Sequence, residues 1–180
     1  MFIQAGENLL RRPEPKDVDA LYDYRNDPSI VSLLGGFSQG FTKSDMSEWV
    51  EKHRKSTDDL VWVITDMTDH CLGHCGFYKI NYRTGTADLA ICIGSASLWG
   101  KGLGGRIVHT LLHYAFQQMN LRKIRAEVLS TNPRSARMFE KCGFVREGVA
   151  REEAYKEGRY VDMLVFGLLK NEWRPGAPLS

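Results

Sequence analysis

The chain has 180 residues, 43% of them hydrophobic and 26% charged, enough apolar material for one buried core and not the composition of a disordered segment. Twenty-four basic residues against 22 acidic ones leave a net charge of +2, which argues against a general nucleic-acid binder. MFIQAGENLLRR lacks the basic start and apolar stretch of a secretion signal, and no run of 18 apolar residues occurs, so the expectation is a soluble cytoplasmic protein without a membrane segment.

Leu9 to Arg12 is a short strand candidate. Pro15 suits the first position of a helix, and Val18, Leu21, Tyr22 and Arg25 keep the 3.6-residue period until Pro28 breaks it. A short second helix is expected over 29–34, followed by a GGFSQG loop. Thr42 and Asp45 then form a capping-box pattern opening a helix to about Lys55. Residues 60–66 (LVWVITD), 71–82 and 86–94 (TADLAICIG) read as an antiparallel meander turning at MTDH and RTG.

Beyond the meander, Leu103, Ile107, Leu111, Leu112, Ala115, Phe116 and Met119 form one apolar helical stripe. KIRAEVLS (123–130) is a strand. Asn132 caps the next helix, with Pro133 at its first position, and Gly143 stops it. Strands near 144–148 and 161–170 flank a turn at GRY, and residues 174–180 read as a frayed tail. The pattern is one domain, 1–180, with its core at about 8–173.

Cys71, Cys75, Cys92 and Cys142 are expected to be reduced. HCLGHC, residues 70–75, brings zinc to mind, but it lies at the head of a strand. Positions four apart on a strand are about 13 Å apart, too far for one ion, so only a sharp turn at Gly73 would make a metal site. The expectation is no metal.

WGKGLGGRIV, residues 99–108, puts four glycines just before a helix, where each weakens it. Backbone N–H groups that must approach an anion explain such a choice. A Walker A loop fails because Gly102 stands where Ser or Thr would hold magnesium. Gly100, Gly102 and Gly105 satisfy a dinucleotide GxGxxG, but residues 94–99 separate it from the preceding strand and no second half of a doubly wound sheet follows. The stretch resembles the [RQ]xxGx[GA] coenzyme A loop of the GNAT N-acetyltransferase superfamily, with Trp99 in place of the usual Arg or Gln. NPRSARMFEKCGF (132–144) resembles that family's Asn-led helix ending in Gly-Phe. GVAREEAYKEGRYVDMLVFGLLKNEW and LRRPEPKDVDALYDYRNDPSIV are similar to its RimJ/RimL-type branch. Three motifs occur in order over residues 8–173.

The resemblance implies an α/β (α+β) fold, a mixed, mostly antiparallel twisted sheet of six to seven strands flanked by about four helices. It implies acetyl transfer from acetyl-CoA to a primary amine by direct attack, without a metal. The glycine loop, Lys101, Gly102, Leu103, Gly104, Gly105 and Arg106, would cradle the pyrophosphate with the helix dipole behind it, Lys101 and Arg106 adding charge. Main-chain groups of Ile91, Cys92 and Ile93 would line the pantetheine, one N–H polarising the thioester carbonyl. Asn132, Ser135 and Phe139 complete the coenzyme side.

Asp88 is the first candidate base, ahead of Asp162 and Glu152. Many relatives carry a proton-donating Tyr where this chain has Phe139, which leaves Ser135, a water, or no acid at all, since a thiol of pKa ~8.5 leaves readily. Arg25, Asn26, Trp49, Tyr78, Tyr155 and the loop 35–41 are candidate acceptor contacts. The acceptor is a protein N-terminus, an amino sugar or a small amine; no acidic cluster favours a polyamine. A homodimer and a catalytically silent acyl-CoA-binding module remain open.

Overall fold

The computed structural model describes residues 2–36 and 40–175. Residues 37–39 of the expected loop, and the expected tail from 176, lie outside them. Eight strands form one sheet: β1 (Ile3–Ala5), β2 (Asn8–Arg11), β3 (Leu60–Thr65), β4 (Cys71–Asn81), β5 (Thr86–Ile93), β6 (Lys123–Leu129), β7 (Val145–Lys156) and β8 (Arg159–Leu169). Their order across the sheet is β1-β2-β3-β4-β5-β6-β8-β7, antiparallel except where β5 meets β6. Five α-helices accompany them: α1 (Val18–Asn26), α2 (Pro28–Val31), α3 (Lys43–Lys55), α4 (Leu103–His113) and α5 (Pro133–Lys141). This is the expected mixed α+β sheet with one or two more strands.

The added strand is β1, three residues pairing Ile3 with Leu10, too short to show a period. Pro28 both ends α1 and opens α2, whose cap is Asp27 accepting from Ser29 N–H; α2 stops at Val31, short of the expected 34. The long stripe of residues 103–119 is α4 followed by a π-helical turn over Tyr114–Gln118. At 12 and 11 residues, β7 and β8 outrun the sequence reading. Register shifts between Arg146 and Gly148 and between Ala150 and Ala154 break the alternation that would have revealed them. The capping box at Thr42 and Asp45 forms as read. Gly73 stays within β4 rather than turning the chain, and Cys75 is fully buried in the core.

The two faces of the sheet bury different residues. On one, Cys75, Phe77, Ala87, Leu89, Ile124, Ala126 and Val128 pack with Ile107 and Leu111 of α4 and Phe139 of α5. On the other, Cys92 packs with Leu21, Tyr24, Ile30, Met46 and Val50 of α1 to α3.

Arg11, 4% exposed, and Asp17, 2% exposed, fasten the first helix to the sheet edge. The guanidinium donates twice, Nη1 to Oδ2 at 2.8 Å and Nη2 to Oδ1 at 2.7 Å, and its Nε reaches Asp69 at 2.6 Å. These bonds hold the guanidinium pKa above its ordinary value. Under α1, Tyr24 Oη and His74 Nδ1 share a hydrogen bond at 2.7 Å. Burial pushes the His74 pKa down to about 3, so the ring is neutral.

Two outcomes follow for stability. Asp17→Ala leaves a buried guanidinium short of its main partner and costs about 3 kcal/mol in urea unfolding, whereas Asp69→Ala at the exposed end costs under ~1 kcal/mol. Because the folded His74 pKa lies below its unfolded value, its contribution is complete above pH about 6.5 and is lost as pH falls toward 3. Unfolding midpoints therefore fall through that window in the parent and fall less steeply in His74→Leu.

Candidate active site

Strand β5 and strand β6 pair at only three positions: Thr86 with Lys123, Ala87 with Ile124 and Asp88 with Arg125. From there β5 stays on β4 as far as Ile93, and β6 stays on β8 as far as Leu129. The strands diverge, and a cleft of about 630 Å³ opens between them.

Backbone direction along the cleft follows from strand alternation. Gly94 N–H donates to Leu72 C=O at 2.8 Å, toward β4. Ile93 and Ile91 therefore turn their polar groups the other way, into the gap. Trp99 Nε1 takes Ile93 C=O at 3.4 Å. Ile91 keeps its N–H toward the opening, with no β6 residue paired across from it.

The glycines line the cleft at the start of α4. Gly100 and Gly102 have φ of +76° and +77°, a turn that only glycine adopts without strain. Gly102 caps α4 without a side chain and accepts from Arg106 N–H at 3.1 Å. The N–H groups of Leu103, Gly104 and Gly105 emerge from the first turn, and all three residues line the cleft. A Cβ on Gly104 would sit 2.7 Å from Met138 Sδ, so this glycine lets α4 and α5 converge at the site.

Positive charge arrives from a different element than expected. Lys101 and Arg106 are not among the lining residues, and Arg106 Nη1 turns back to Lys101 C=O at 3.4 Å. Arg134, Arg137 and Lys141 of α5 line the cleft instead. Their spacing of three and four puts them on one helix face, a pattern visible in NPRSARMFEK that the sequence reading passed over. Arg134 lies 3.8 Å from the ring centre of Trp99, and burial draws its pKa below the ordinary value.

Ile91, Cys92, Ile93, Asn132, Ser135 and Phe139 also line the cleft. Asn132 Oδ1 accepts from Ser135 N–H at 3.2 Å, so this oxygen serves the helix cap, while the Ser135 hydroxyl makes no hydrogen bond within the described residues. Phe139 is 3% exposed and wedged against Phe144 and Phe166. The Cys92 side chain belongs to the α1–α3 face, where burial pushes its thiol up to about 12, the opposite of a nucleophile.

Asp88 is brought to the fork but not to the cleft lining. Its Oδ1 receives Arg125 Nε at 2.7 Å, and Lys79 Nζ lies 3.4 Å from Oδ2. Glu127, two residues along β6, lines the cleft and has no protein partner among the described residues. It was missed because its strand reads as an ordinary exposed position; only the divergence of β5 gives it an open space to face. Asp162, on β8 beside Ser130 at the end of β6, accepts from Glu152 N–H at 2.9 Å and is not among the lining residues.

Arg25, Asn26, Trp49, Tyr78 and Tyr155 are not among the described residues that line the cleft. Arg25 lies over Phe41 at 4.7 Å and Trp49 at 5.5 Å, Asn26 bonds the backbone of Phe41, and Tyr78 meets His53 edge-on. Tyr155 pairs with Tyr160 near the tip of the β7–β8 hairpin. Gly35, from the expected loop, does line the cleft.

Known proteins carry the same arrangement. The family model described as an acetyltransferase (GNAT) domain matches residues 8–145. The N-acetyltransferase p20 of Bacillus licheniformis is 30% identical over 167 residues, covering 91% of this chain and 93% of its own. The spermidine N(1)-acetyltransferase of Vibrio cholerae is 29% identical, covering 91% and 94%. A crystal structure of spermidine N-acetyltransferase from Vibrio cholerae with CoA and spermine superposes at a TM-score of 0.85 with 28% identity, covering 92% of this chain and 97% of that one. A cleft at parted strands, a glycine-capped helix beside it and these likenesses agree: the chain belongs to the GNAT acetyltransferase family, acyltransferases that take acetyl from acetyl-CoA.

Proposed function

We propose that the cleft transfers acetyl from acetyl-CoA to a primary amine, each substrate entering from a different face of the sheet. The observation that carries this is the Ile91 backbone, free of a β6 partner beside a helix start that has no side-chain cap. The residues present fit the donor. The N–H groups of Leu103, Gly104 and Gly105, the α4 dipole and the Arg134, Arg137 and Lys141 cations suit a pyrophosphate and its neighbouring phosphate. Bound acetyl-CoA supplies an activated thioester.

The chain's own groups do the rest. Ile91 N–H donates to the thioester oxygen as negative charge grows there. Glu127, directly or through a water, takes one proton from the incoming ammonium. As the new C–N bond forms and the C–S bond breaks, the second amine proton passes to the departing sulfur, with the Ser135 hydroxyl as its carrier. One ammonium and one thioester thus become one amide, one thiol and one proton released to solvent. The free carboxylate of Glu127 supports its role over Asp88, whose oxygens already hold Arg125 and Lys79.

The quoted tail motif supports a RimJ/RimL-type enzyme, and four unbridged cysteines suit the cytoplasm. Exposed Val145 and Val149 on the edge strand β7 support a homodimer. Phe139, which donates no proton, supports the second reading, a silent acyl-CoA-binding module; turnover of any amine removes it.

Calorimetry with acetyl-CoA, CoA and NAD is the first test. Acetyl-CoA and CoA bind and NAD does not, and Gly104→Glu weakens acetyl-CoA by about tenfold or more without unfolding the chain. Equal binding by that variant would remove the helix start from the site. In turnover, Glu127→Gln lowers kcat by about a hundredfold, while Glu127→Asp recovers part of the rate. Loss in Asp88→Asn with Glu127→Gln fully active would return the role to Asp88.

A further inference from the structure

The cleft opens on the α1–α3 face, and the character of that face selects the acceptor. The Cys92 side chain lies there, so Ala90, two residues back, points the same way. Asp88 is opposite Arg125, which places Arg125, Glu127 and Leu129 on that face of β6. The wall is completed by Ile30, Leu33, Leu34 and Gly35. It is apolar apart from one carboxylate.

From this we infer that the acceptor is a primary amine bearing a single positive charge on an apolar body, and that a polyamine is a poor substrate. The inference rests on the acetyltransferase reading above and adds the class of amine to it. Among the described residues, Glu127 is the only acid lining the cleft. Residues 37–39 are Phe, Ser and Gln and add none. Asp88, next on the same face, is held by Arg125 and Lys79.

Two cations also lie close to this face. Lys156 Nζ donates to Gly36 C=O at 2.6 Å, at the end of the wall. Arg25 Nη1 is buried without a hydrogen-bond partner between Phe41 and Trp49. One ammonium is matched by Glu127. A second or third would lose water with no carboxylate to meet it and with cations close by. The side chains of Ile30, Leu34 and Leu129 reward methylene groups instead.

The test is a series of equal length and increasing charge: octylamine, 1,8-diaminooctane and spermidine, each with acetyl-CoA. The expected kcat/KM falls by about tenfold for each added ammonium. Leu34→Glu adds a second carboxylate to the wall and raises the ratio for 1,8-diaminooctane over octylamine by about tenfold, a change in preference that mere loosening of the fold would not produce. Spermidine as the best of the three, or an unchanged ratio in a folded Leu34→Glu, overturns the inference. Acetyl-CoA binding without turnover of octylamine overturns it too and leaves the donor site standing. Failure to bind acetyl-CoA brings down the acetyltransferase reading itself.

Discussion

The structure depends on a sheet that is continuous at one end and open at the other. Asp88 and Arg125 are the last register pair between β5 and β6, and their side chains meet at 2.7 Å. That ion pair sits at the apex of the fork. Beyond it, backbone donors and acceptors of β5 face a gap, an arrangement that proteins otherwise avoid in mid-sheet because unpaired polar groups are costly. Here β6 has moved away, and the N–H of Ile91 is left without a β6 partner. Asp88, the acid that sequence alone suggests as a base, holds Arg125 at this apex.

The same divergence separates charge. The α4 helix start and three cations of α5 lie together with the glycine turn, and they suit an anion. Glu127 stands alone on the opposite face of β6 from the Ala126 and Val128 core positions, where strand alternation puts it. Surfaces of opposite character therefore meet at the parted strand edge. Close packing keeps the geometry fixed, since Gly104 brings α4 within reach of Met138, and Phe139 is locked between two other rings.

Much of this was legible in the chain. The capping box at Thr42, the Asn132 cap, the glycine turn before α4 and the apolar stripe of that helix are local features, set by contacts within a few residues. So is the backbone position of Ile91 within a strand. The bulged β7 and the three-residue β1 were not, because their pairing is decided by partners distant in sequence. Among side chains, Asp88 and Glu127 look alike in sequence: each is an acid within a strand, and only the neighbouring strand distinguishes them.

What the sequence by itself determined is the class of fold, the family and the glycine turn that opens α4, because these rest on short-range periodicity and on glycine's backbone freedom. What only the tertiary structure decided is which charges face the cleft. Lys101 stands among the glycines and Arg106 just after them, yet neither lines the cleft, whereas Arg134, Arg137 and Lys141 arrive from a later helix, and Glu127 gains its open face from the departure of another strand. A charge acts through distance and burial, and both are set by elements that are far apart along the chain.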